Sequence, residues 1–389
     1  MDNILICCDS IERYYFFKRF SETIKNRVNF ITSEPVVLLM ARYHGFKCYY
    51  INIVRQPDVS NDDSDLLYSI EVLNQSIDAD RAYSYALSIK NRLKAILESV
   101  NITCFVIWNG QQIIGKVLTD FANDNDISCL YLELSNLPNK IFVDSQGVNA
   151  KSSIKKLTEW NDVAQSEHEN WLRFYEKEKS KVLPQSKISI KKSFLSLINY
   201  FLKVLLDNSN RSFSSVFRMR NKFKKCGDDV SLNELFIFLP LQVTSDTQIK
   251  INSTVDNIDA IKYSVKMAER KGLKLYVKIH PAEVDNDFIS KVTKLKNDFG
   301  FYITNLNTVD LLKCSQEVVT INSTVGIEAL IYKKPLTILG KAFYKDFSQV
   351  ELRKYIHSFL VDGIDYFSEH AIDENRVKEI LDRRFMKGN

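Results

Sequence analysis

The sequence has no apolar run long enough to cross a membrane and none of the common nucleotide-binding loops. No window approaches the roughly 20 uninterrupted apolar residues of a spanning helix, and the first residues lack a basic stretch followed by an apolar region and a cleavage site. We therefore expect a cytoplasmic protein. No Gly-x-Gly-x-x-Gly follows the first strand candidate, 3–8, and no glycine-rich loop ends in Lys-Ser or Lys-Thr, so a dinucleotide enzyme is disfavoured.

The cysteines indicate neither disulfide bonds nor a metal site. The seven cysteines are odd in number and scattered, with neither metal-ligand spacing nor a disulfide pattern. Most lie in apolar, strand-like runs, so we expect reduced core residues and no metal site. The net charge of +5 is modest for 389 residues, and no nucleic-acid motif accompanies the basic residues, so we expect no nucleic-acid partner.

The length and the alternation of strand and helix patterns indicate the architecture. A chain of 389 residues exceeds the usual size of one hydrophobic core. Alternating strands and helices predict the α/β class, with two Rossmann-like doubly wound domains and a cleft between them, as in the GT-B type. The predicted parts are a Rossmann-like domain at 1–150, a helical basic segment at 151–230, a second Rossmann-like domain at 231–345, and a helical segment at 346–389.

Three strand ends in the second half carry polar side chains. Asp246 follows the apolar strand candidate 235–239, Lys278 and His280 end the next one, and the run from Asn322 to Glu328 follows a third. Because ligands of parallel α/β sheets lie beyond the carboxyl ends of the strands, we interpret the three ends as one site. Each has a simpler interpretation: Asp246 as a helix cap, Ser323 or Thr324 as a cap, and His280 as a structural hydrogen-bonding residue.

The first half has its own polar strand ends. Asn109 follows the strand candidate 104–108 and Glu133 ends the next strand candidate. We predict that residues 137–149, which include Asn149, form a polar, turn-rich loop that faces the cleft.

The stretch between the predicted domains is strongly basic. Residues 177–225 contain thirteen Lys or Arg and two acidic residues. Ile190, Phe194, Leu197, Ile198, Phe201, Leu202 and Leu205 fall close to one helical face, beside Lys187, Lys191, Lys192 and Lys203. The pattern is typical of a helix at a membrane interface and equally of a helix packed on its own protein with a basic rim.

Taken in order, these segments resemble the bacterial capsule polysaccharide synthesis family of KpsS- and KpsC-like β-Kdo transferases, with the single-module KpsS type the nearer. The resemblance spans about residues 102–344 and rests on these segments: Trp108-Asn109-Gly110, Glu133 with Leu137-Pro138, Val143-Asp144 with Gly147-Val148-Asn149, Leu241-Gln242-Val243 with Asp246 and Gln248-Ile249, Lys278-Ile279-His280-Pro281, Asn322 to Leu330, Lys334-Pro335, and Gly340 to Tyr344.

The resemblance implies a retaining glycosyltransferase that moves Kdo from CMP-Kdo to a lyso-phosphatidylglycerol-type lipid acceptor in capsular linker synthesis. It implies no cofactor, a peripheral position on the inner face of the cytoplasmic membrane, and capsule synthesis and export proteins as partners. The residue roles that it implies are Asp246 as nucleophile with His280 in the catalytic set, donor binding by Gln242, Lys278, Asn322, Ser323, Thr324 and Glu328, and an acceptor side at Asn109, Glu133 and Asn149.

Two other functions remain open. A CDP-polyol-dependent polyol-phosphate transferase uses a similar fold and a His-Pro segment. A non-catalytic subunit of a capsule assembly machine retains the fold without turnover. Competition between CMP-Kdo and CDP-glycerol separates the two enzymes, and failure to bind any cytidine nucleotide favours the subunit.

Overall fold

The structure is a computed structural model that describes residues 3–54, 64–135, 137–154, 160–179, 190–206 and 227–385. The chain divides into two compact units. Unit 1 comprises Met1–Phe213 and Ile356–Asn389, and unit 2 comprises Ser214–Tyr355. Unit 2 is therefore inserted, in sequence, between the two parts of unit 1.

Unit 1 contains a seven-stranded sheet. Its strands are β1 (Asn3–Cys7), β2 (Val28–Thr32), β3 (Lys47–Tyr50), β4 (Ile102–Trp108), β5 (Ser128–Leu134), β6 (Lys140–Asp144) and β12 (Val361–Asp362). Its helices are α1 (Ile11–Ser21), α2 (Pro35–Tyr43), α3 (Ile70–Leu73), α4 (Ala79–Leu97), α5 (Ile113–Asp124), α6 (Gln165–Lys179), α7 (Ile190–Leu205) and α14 (Glu374–Asp382). The order is β12-β6-β5-β4-β1-β2-β3, with β1 to β5 parallel and the pairs β5–β6 and β6–β12 antiparallel.

Unit 2 contains a five-stranded parallel sheet. Its strands are β7 (Phe236–Pro240), β8 (Lys274–Lys278), β9 (Tyr302–Ile303), β10 (Glu317–Thr320) and β11 (Leu336–Ile338), in the order β11-β10-β7-β8-β9. Its helices are α8 (Thr247–Asn252), α9 (Asn257–Lys271), α10 (Asn286–Phe299), α11 (Thr308–Cys314), α12 (Val325–Ile331) and α13 (Gln349–Lys354).

The central strand of unit 2 is apolar along its whole length because both of its faces are covered. Ile237 and Leu239 belong to one buried cluster, and Phe236 and Phe238 to another. Side chains alternate between the faces of a strand, so helices must cover both sides of this sheet. The predicted α/β class with two Rossmann-like sheets is confirmed, and the predicted cleft stays a prediction.

The prediction of a turn-rich loop at 137–149 is wrong in part, because this segment contains the buried strand β6. The two ends of β6 are polar, which hid the strand. Lys140 forms an ion pair with Asp362 at 3.2 Å, and the Asp144 carboxylate accepts hydrogen bonds from the Gln146, Gly147 and Ser153 amides and from the Ser153 hydroxyl. These partners allow both charged residues to be buried in the sheet.

The C-terminal part of unit 1 is fastened by two buried arginines. The Arg19 guanidinium donates to the carbonyls of Asp365, Tyr366 and His370. Arg383 donates to the carbonyls of Val143, Ser358 and Phe359. Five donors on one planar group suit several carbonyls at once, so each arginine fixes a stretch of irregular backbone.

The described parts of the basic segment are helical. Helix α7 packs against α1 and α2 of unit 1, while residues 180–189 and 207–226, and with them Lys187, lie outside the described residues. No helix among the described residues combines the length and the apolar character needed to cross a membrane. The six described cysteines are all free thiols, four of them buried.

Candidate functional site

The two sheets share one strand order, and that order locates the candidate site. The parallel strands run β3-β2-β1-β4-β5 in unit 1 and β9-β8-β7-β10-β11 in unit 2. In each unit the chain reverses direction across the sheet after three strands. Ligands of doubly wound sheets bind beyond the carboxyl ends of the strands at this reversal, which falls between β1 and β4 and between β7 and β10.

A buried amide cluster joins the two strand ends at the reversal in unit 2. Gln242, only 4% exposed, donates from Nε2 to Asn322 Oδ1 at 3.1 Å and accepts at Oε1 from the Asn322 amide at 3.2 Å. Asn257 exchanges two further hydrogen bonds with the Gln242 backbone. The loops after β7 and β10 are therefore held together by paired amides, which leaves little freedom to either loop.

Asp246 belongs to this cluster and also caps a helix. Its Oδ1 accepts from the Gln248 amide at 2.8 Å, so Asp246 is the N-cap of α8, as the simpler sequence interpretation had it. Its Oδ2 lies 3.3 Å from Gln242 Nε2. Each carboxylate oxygen has two lone pairs and accepts one bond among these, so the side chain is oriented yet retains acceptor capacity.

The end of β8 is joined to the same loop by a residue that the sequence analysis missed. Glu283 is buried, and its carboxylate accepts from the Thr244 amide at 2.8 Å and the Thr244 hydroxyl at 3.3 Å, and from the amides of Val284 and Asp285. Thr244 follows β7, so Glu283 connects the His-Pro segment to the loop that carries Asp246. A buried carboxylate with four donors is well compensated for its loss of water.

The two predicted residues of β8 and its loop differ in their surroundings. His280 is exposed, and its Nδ1 accepts from the Ala282 amide at 3.0 Å, so the neutral ring carries its proton on Nε2. The Lys278 ammonium donates to the Leu306 carbonyl and, at 3.0 Å, to the Thr308 hydroxyl. Lys278 therefore holds the loop before α11 in place.

The segment after β10 is close-packed. Ser323 Oγ accepts from the Val325 amide at 3.2 Å, and Thr324 is the N-cap of α12 without a side-chain capping bond. Glu328, one turn further, is 5% exposed. Tyr344 donates to the Ser323 carbonyl and lies against Gly326, where an added Cβ would be 2.5 Å from the tyrosine oxygen. Only glycine fits at that position without a shift of the ring.

In unit 1 the structure brings together two of the three predicted acceptor-side residues. Asn109, in a left-handed conformation after β4, donates from Nδ2 to the Glu133 carboxylate. Asn149 follows β6, which runs antiparallel to β5 with Asp144 opposite Tyr131. The chain after β6 therefore leaves the sheet in the direction away from the strand ends that carry Asn109 and Glu133.

Several buried polar atoms gather at the reversal point of unit 1. Asp9, just after β1, forms an ion pair with Arg13. Asp9 Oδ1, Asn109 Oδ1 and Gln111 Oε1 are buried and have no hydrogen-bond partner among the described residues. Burial raises the pKa of Glu71 to about 7, although amide hydrogen bonds oppose the shift. Unpartnered buried acceptors are uncommon in folded proteins and mark places where another donor fits.

Sequence reasoning missed Asp9, Arg13, Gln111 and Glu283. For Asp9 and Gln111 the available signal was their position directly after β1 and β4. Glu283 gave no local signal, because its partner Thr244 lies 39 positions away. The described residues contain no group of three or more His, Cys, Asp or Glu side chains suited to a metal ion.

Comparison with known proteins gives the family. Residues 103–348 match the family described as capsule polysaccharide biosynthesis protein. The matched range covers more than half of the chain and contains every predicted site residue. The chain belongs to this family.

Individual relatives match over shorter lengths. The capsule polysaccharide export protein KpsS of Escherichia coli is 33% identical over 138 residues, which is 33% of this chain and 35% of that protein. Protein FixF of Sinorhizobium fredii (strain NBRC 101917 / NGR234) is 35% identical over 119 residues, 30% of this chain and 29% of that protein. The chain thus spans about a third of the length of the curated relatives that it matches.

Among solved structures, the chain is similar to the β-Kdo 2,7 transferase of Thermosulfurimonas dismutans KpsC. The TM-score is 0.49 at 15% identity, over 98% of this chain and 99% of that chain.

Proposed function

We propose that the protein is a retaining β-Kdo glycosyltransferase that moves Kdo from CMP-Kdo to a lyso-phosphatidylglycerol-type lipid acceptor in capsular linker synthesis. One observation carries the proposal: a carboxylate, Asp246, is oriented by hydrogen bonds at the strand reversal of unit 2, inside the family-matched range. Membership of a capsule polysaccharide family supports the sugar and the pathway. The proposal includes no cofactor.

The chemistry takes two displacements. In the first, an Asp246 oxygen forms a bond to the anomeric carbon of Kdo while the bond from that carbon to the CMP phosphate oxygen breaks, and CMP leaves. In the second, an acceptor hydroxyl oxygen bonds to the same carbon, the bond to Asp246 breaks, and the hydroxyl proton passes to a base. Two inversions give net retention, and a carboxylate suits the positive charge that develops at the anomeric carbon.

In this proposal the residues around Asp246 position the donor. The neutral His280 ring, whose Nδ1 accepts from the Ala282 amide, has its proton on Nε2, and in this proposal that N–H group donates to the leaving phosphate. Gln242 and Asn322 hold the carboxylate and the loop in place, and Ser323 and Thr324 supply hydroxyls for the cytidylate. Lys278 acts through the loop before α11, because its ammonium already donates to two oxygens there.

The acceptor is proposed to bind at the reversal point of unit 1. A polyol or sugar hydroxyl of the acceptor can donate a hydrogen bond to the buried oxygens of Asp9, Asn109 and Gln111, which have no donor among the described residues. Glu133, already bonded to Asn109, adds a further acceptor. A lipid acceptor places the protein on the inner face of the cytoplasmic membrane, beside capsule synthesis and export proteins.

The test separates the two roles of Asp246. The variant Asp246→Asn keeps the helix cap, because asparagine caps helices about as well as aspartate. It removes the nucleophilic carboxylate, so transfer from CMP-Kdo to the lipid acceptor should fall by at least about a thousandfold. The matched control is Asp256→Asn, which changes the N-cap of α9 in the same unit and should leave transfer unchanged.

Intact-mass measurement after mixing with CMP-Kdo alone adds a second readout. The proposal expects one Kdo on the wild-type protein and none on Asp246→Asn. Transfer by Asp246→Asn at the wild-type rate would remove Asp246 as nucleophile. Turnover of CDP-glycerol in preference to CMP-Kdo would replace the donor in the proposal.

A further inference from the structure

Helix α7 has two apolar faces, and among the residues that the structure describes unit 1 packs against one of them. Leu195, Ile198 and Leu202 pack against the core of unit 1. Asn199, on the same side, accepts from the Val36 amide at 3.0 Å and is buried. This face therefore explains why the helix lies where it does.

Polar contacts at the start of α2 fix α7 in that position. The Glu34 carboxylate accepts from the Asn199 amide group and forms an ion pair with Lys203 at 2.6 Å. Lys192 lies 5.2 Å from the centre of the Tyr15 ring. The helix is thus held against unit 1 by apolar packing, by the hydrogen bonds of Asn199 with Val36 and Glu34, and by the contacts of two lysines.

The other apolar face is open. We name it the α7 outer face; it consists of Phe194, Leu197, Phe201, Val204 and Leu205, which are 62%, 39%, 47%, 47% and 81% exposed. Their three- and four-residue spacing places them along one side of the helix over about 16 Å. A row of large exposed apolar side chains on a folded protein indicates a surface that something else covers.

Charge indicates what covers it. The stretch 177–225, which contains α7, has thirteen Lys or Arg against two acidic residues. An apolar helical face within a stretch of chain that has excess basic charge matches an anionic lipid leaflet, where apolar burial and electrostatic attraction act together. A second copy of the chain fits less well, because it has the same excess of basic charge in this stretch.

We propose that the α7 outer face docks on an anionic lipid surface, with the apolar side chains at the level of the headgroups and first methylenes. The docking rests on the proposed function only in that a lipid acceptor requires the protein to reach a membrane. In this proposal the two interpretations of this helix are compatible, since one face packs on the protein while the other contacts lipid.

The experiment measures binding of the full chain to vesicles by flotation. Vesicles of phosphatidylcholine with phosphatidylserine are compared with vesicles of phosphatidylcholine alone. The test variant is Phe194→Gln with Phe201→Gln, which removes apolar surface without changing charge. The matched control is Phe299→Gln, because Phe299 in unit 2 is as exposed as Phe201, at 47%.

The wild-type protein and the control should bind the anionic vesicles, and raised salt should weaken the binding. The double variant should bind about tenfold more weakly or worse, since each phenylalanine contributes a substantial part of its transfer free energy. Circular dichroism of the double variant checks that the exposed substitutions leave the fold unchanged.

Two outcomes of the comparison between the double variant and the wild type overturn the proposal. One is equal vesicle binding by the double variant and the wild type. The other is a wild-type protein that forms a dimer and does not bind vesicles, together with a double variant that is a monomer. That result would make the outer face a contact between copies of the chain. Because the vesicles contain neither donor nor acceptor, failure of the transferase proposal leaves this result intact. Conversely, transfer to a detergent-dissolved acceptor without vesicle binding refutes the docking alone.

Discussion

The buried amide cluster of unit 2 predicts the effect of a nearly isosteric change, Gln242→Glu. The substitution replaces an NH2 group by an oxygen of similar size at a site that is 4% exposed. Gln242 Nε2 donates to Asp246 Oδ2 and to Asn322 Oδ1, so the new oxygen would face two acceptors. The shape of the cluster is retained while its donor is lost.

The expected cost depends on pH. The two lost hydrogen bonds are worth about 1 kcal/mol each, and a second carboxylate about 3.3 Å from Asp246 adds several kcal/mol of repulsion at an effective dielectric near 20. The introduced carboxyl escapes this repulsion by keeping its proton, so its pKa rises on folding. A raised folded pKa gives stability that is present below the unfolded value of about 4.3 and is lost as pH rises through the folded value.

We therefore expect unit 2 to lose about 1 kcal/mol near pH 4.5, where the protonated group can still donate one bond, and about 3 to 5 kcal/mol near pH 7.5. Hydrogen exchange of the β7 and β10 amides is the suitable assay, because Trp108, Trp160 and Trp171 all lie in unit 1. Fluorescence of tryptophan reports the wrong unit.

The control is Gln248→Glu in the same unit. Gln248 Oε1 accepts from Asn252 at 2.9 Å, and a carboxylate accepts that bond equally well. The control should change stability little at either pH. A Gln242→Glu deficit that does not grow with pH, or one that the control matches, would refute the reasoning.

Two further predictions concern other sites. Gly326→Ala should destabilise unit 2 by about 1–3 kcal/mol, because the new Cβ would lie 2.6 Å from the Tyr344 ring. Helix propensity alone predicts the opposite, a gain in stability of about 1 kcal/mol. Faster or slower hydrogen exchange of unit 2 in the variant shows which effect is larger. His357 has its pKa lowered to about 4 by burial and then by neighbouring charges, so it contributes stability above about pH 6.5 that is lost as pH falls toward 4. Discounted for partial exposure, the loss of stability should be about 1–2 kcal/mol. The variant His357→Asn should remove this pH dependence of the free energy of unfolding, measured in urea by fluorescence of Trp171, which lies 5.5 Å from the His357 ring. Identical pH slopes in the two proteins would contradict the assignment.

The sequence predicted those parts of the fold that depend on local pattern. Strand β7 was recognisable because both of its faces are buried and the whole strand is apolar. Strand β6 was not, because Lys140 and Asp144 look like loop residues until Asp362 and Ser153 are placed beside them. The partner of Lys140 comes from a distant part of the chain, which no local pattern shows.

The same distinction holds for the candidate site. Asp246 and Asn322 were predicted to share one site because each follows a strand, and parallel strands end at one edge of a sheet. The family resemblance added Gln242. The structure joins them by hydrogen bonds. The family resemblance grouped Asn149 with Asn109 and Glu133, and the sequence did not show that β6 runs antiparallel to β5.

The return of the chain to unit 1 after unit 2 has a consequence for synthesis in the cell. Helix α14 contributes Val377 and Ile380 to the core that also contains Ile4 and Ile6 of β1. A ribosome therefore releases the whole of unit 2, whose strands are contiguous in sequence, before it releases the residues that complete unit 1. Domains usually fold in order from the N-terminus during synthesis. Part of the apolar core of unit 1 must therefore stay uncovered until unit 2 has been translated, and uncovered apolar surface favours aggregation of a nascent chain.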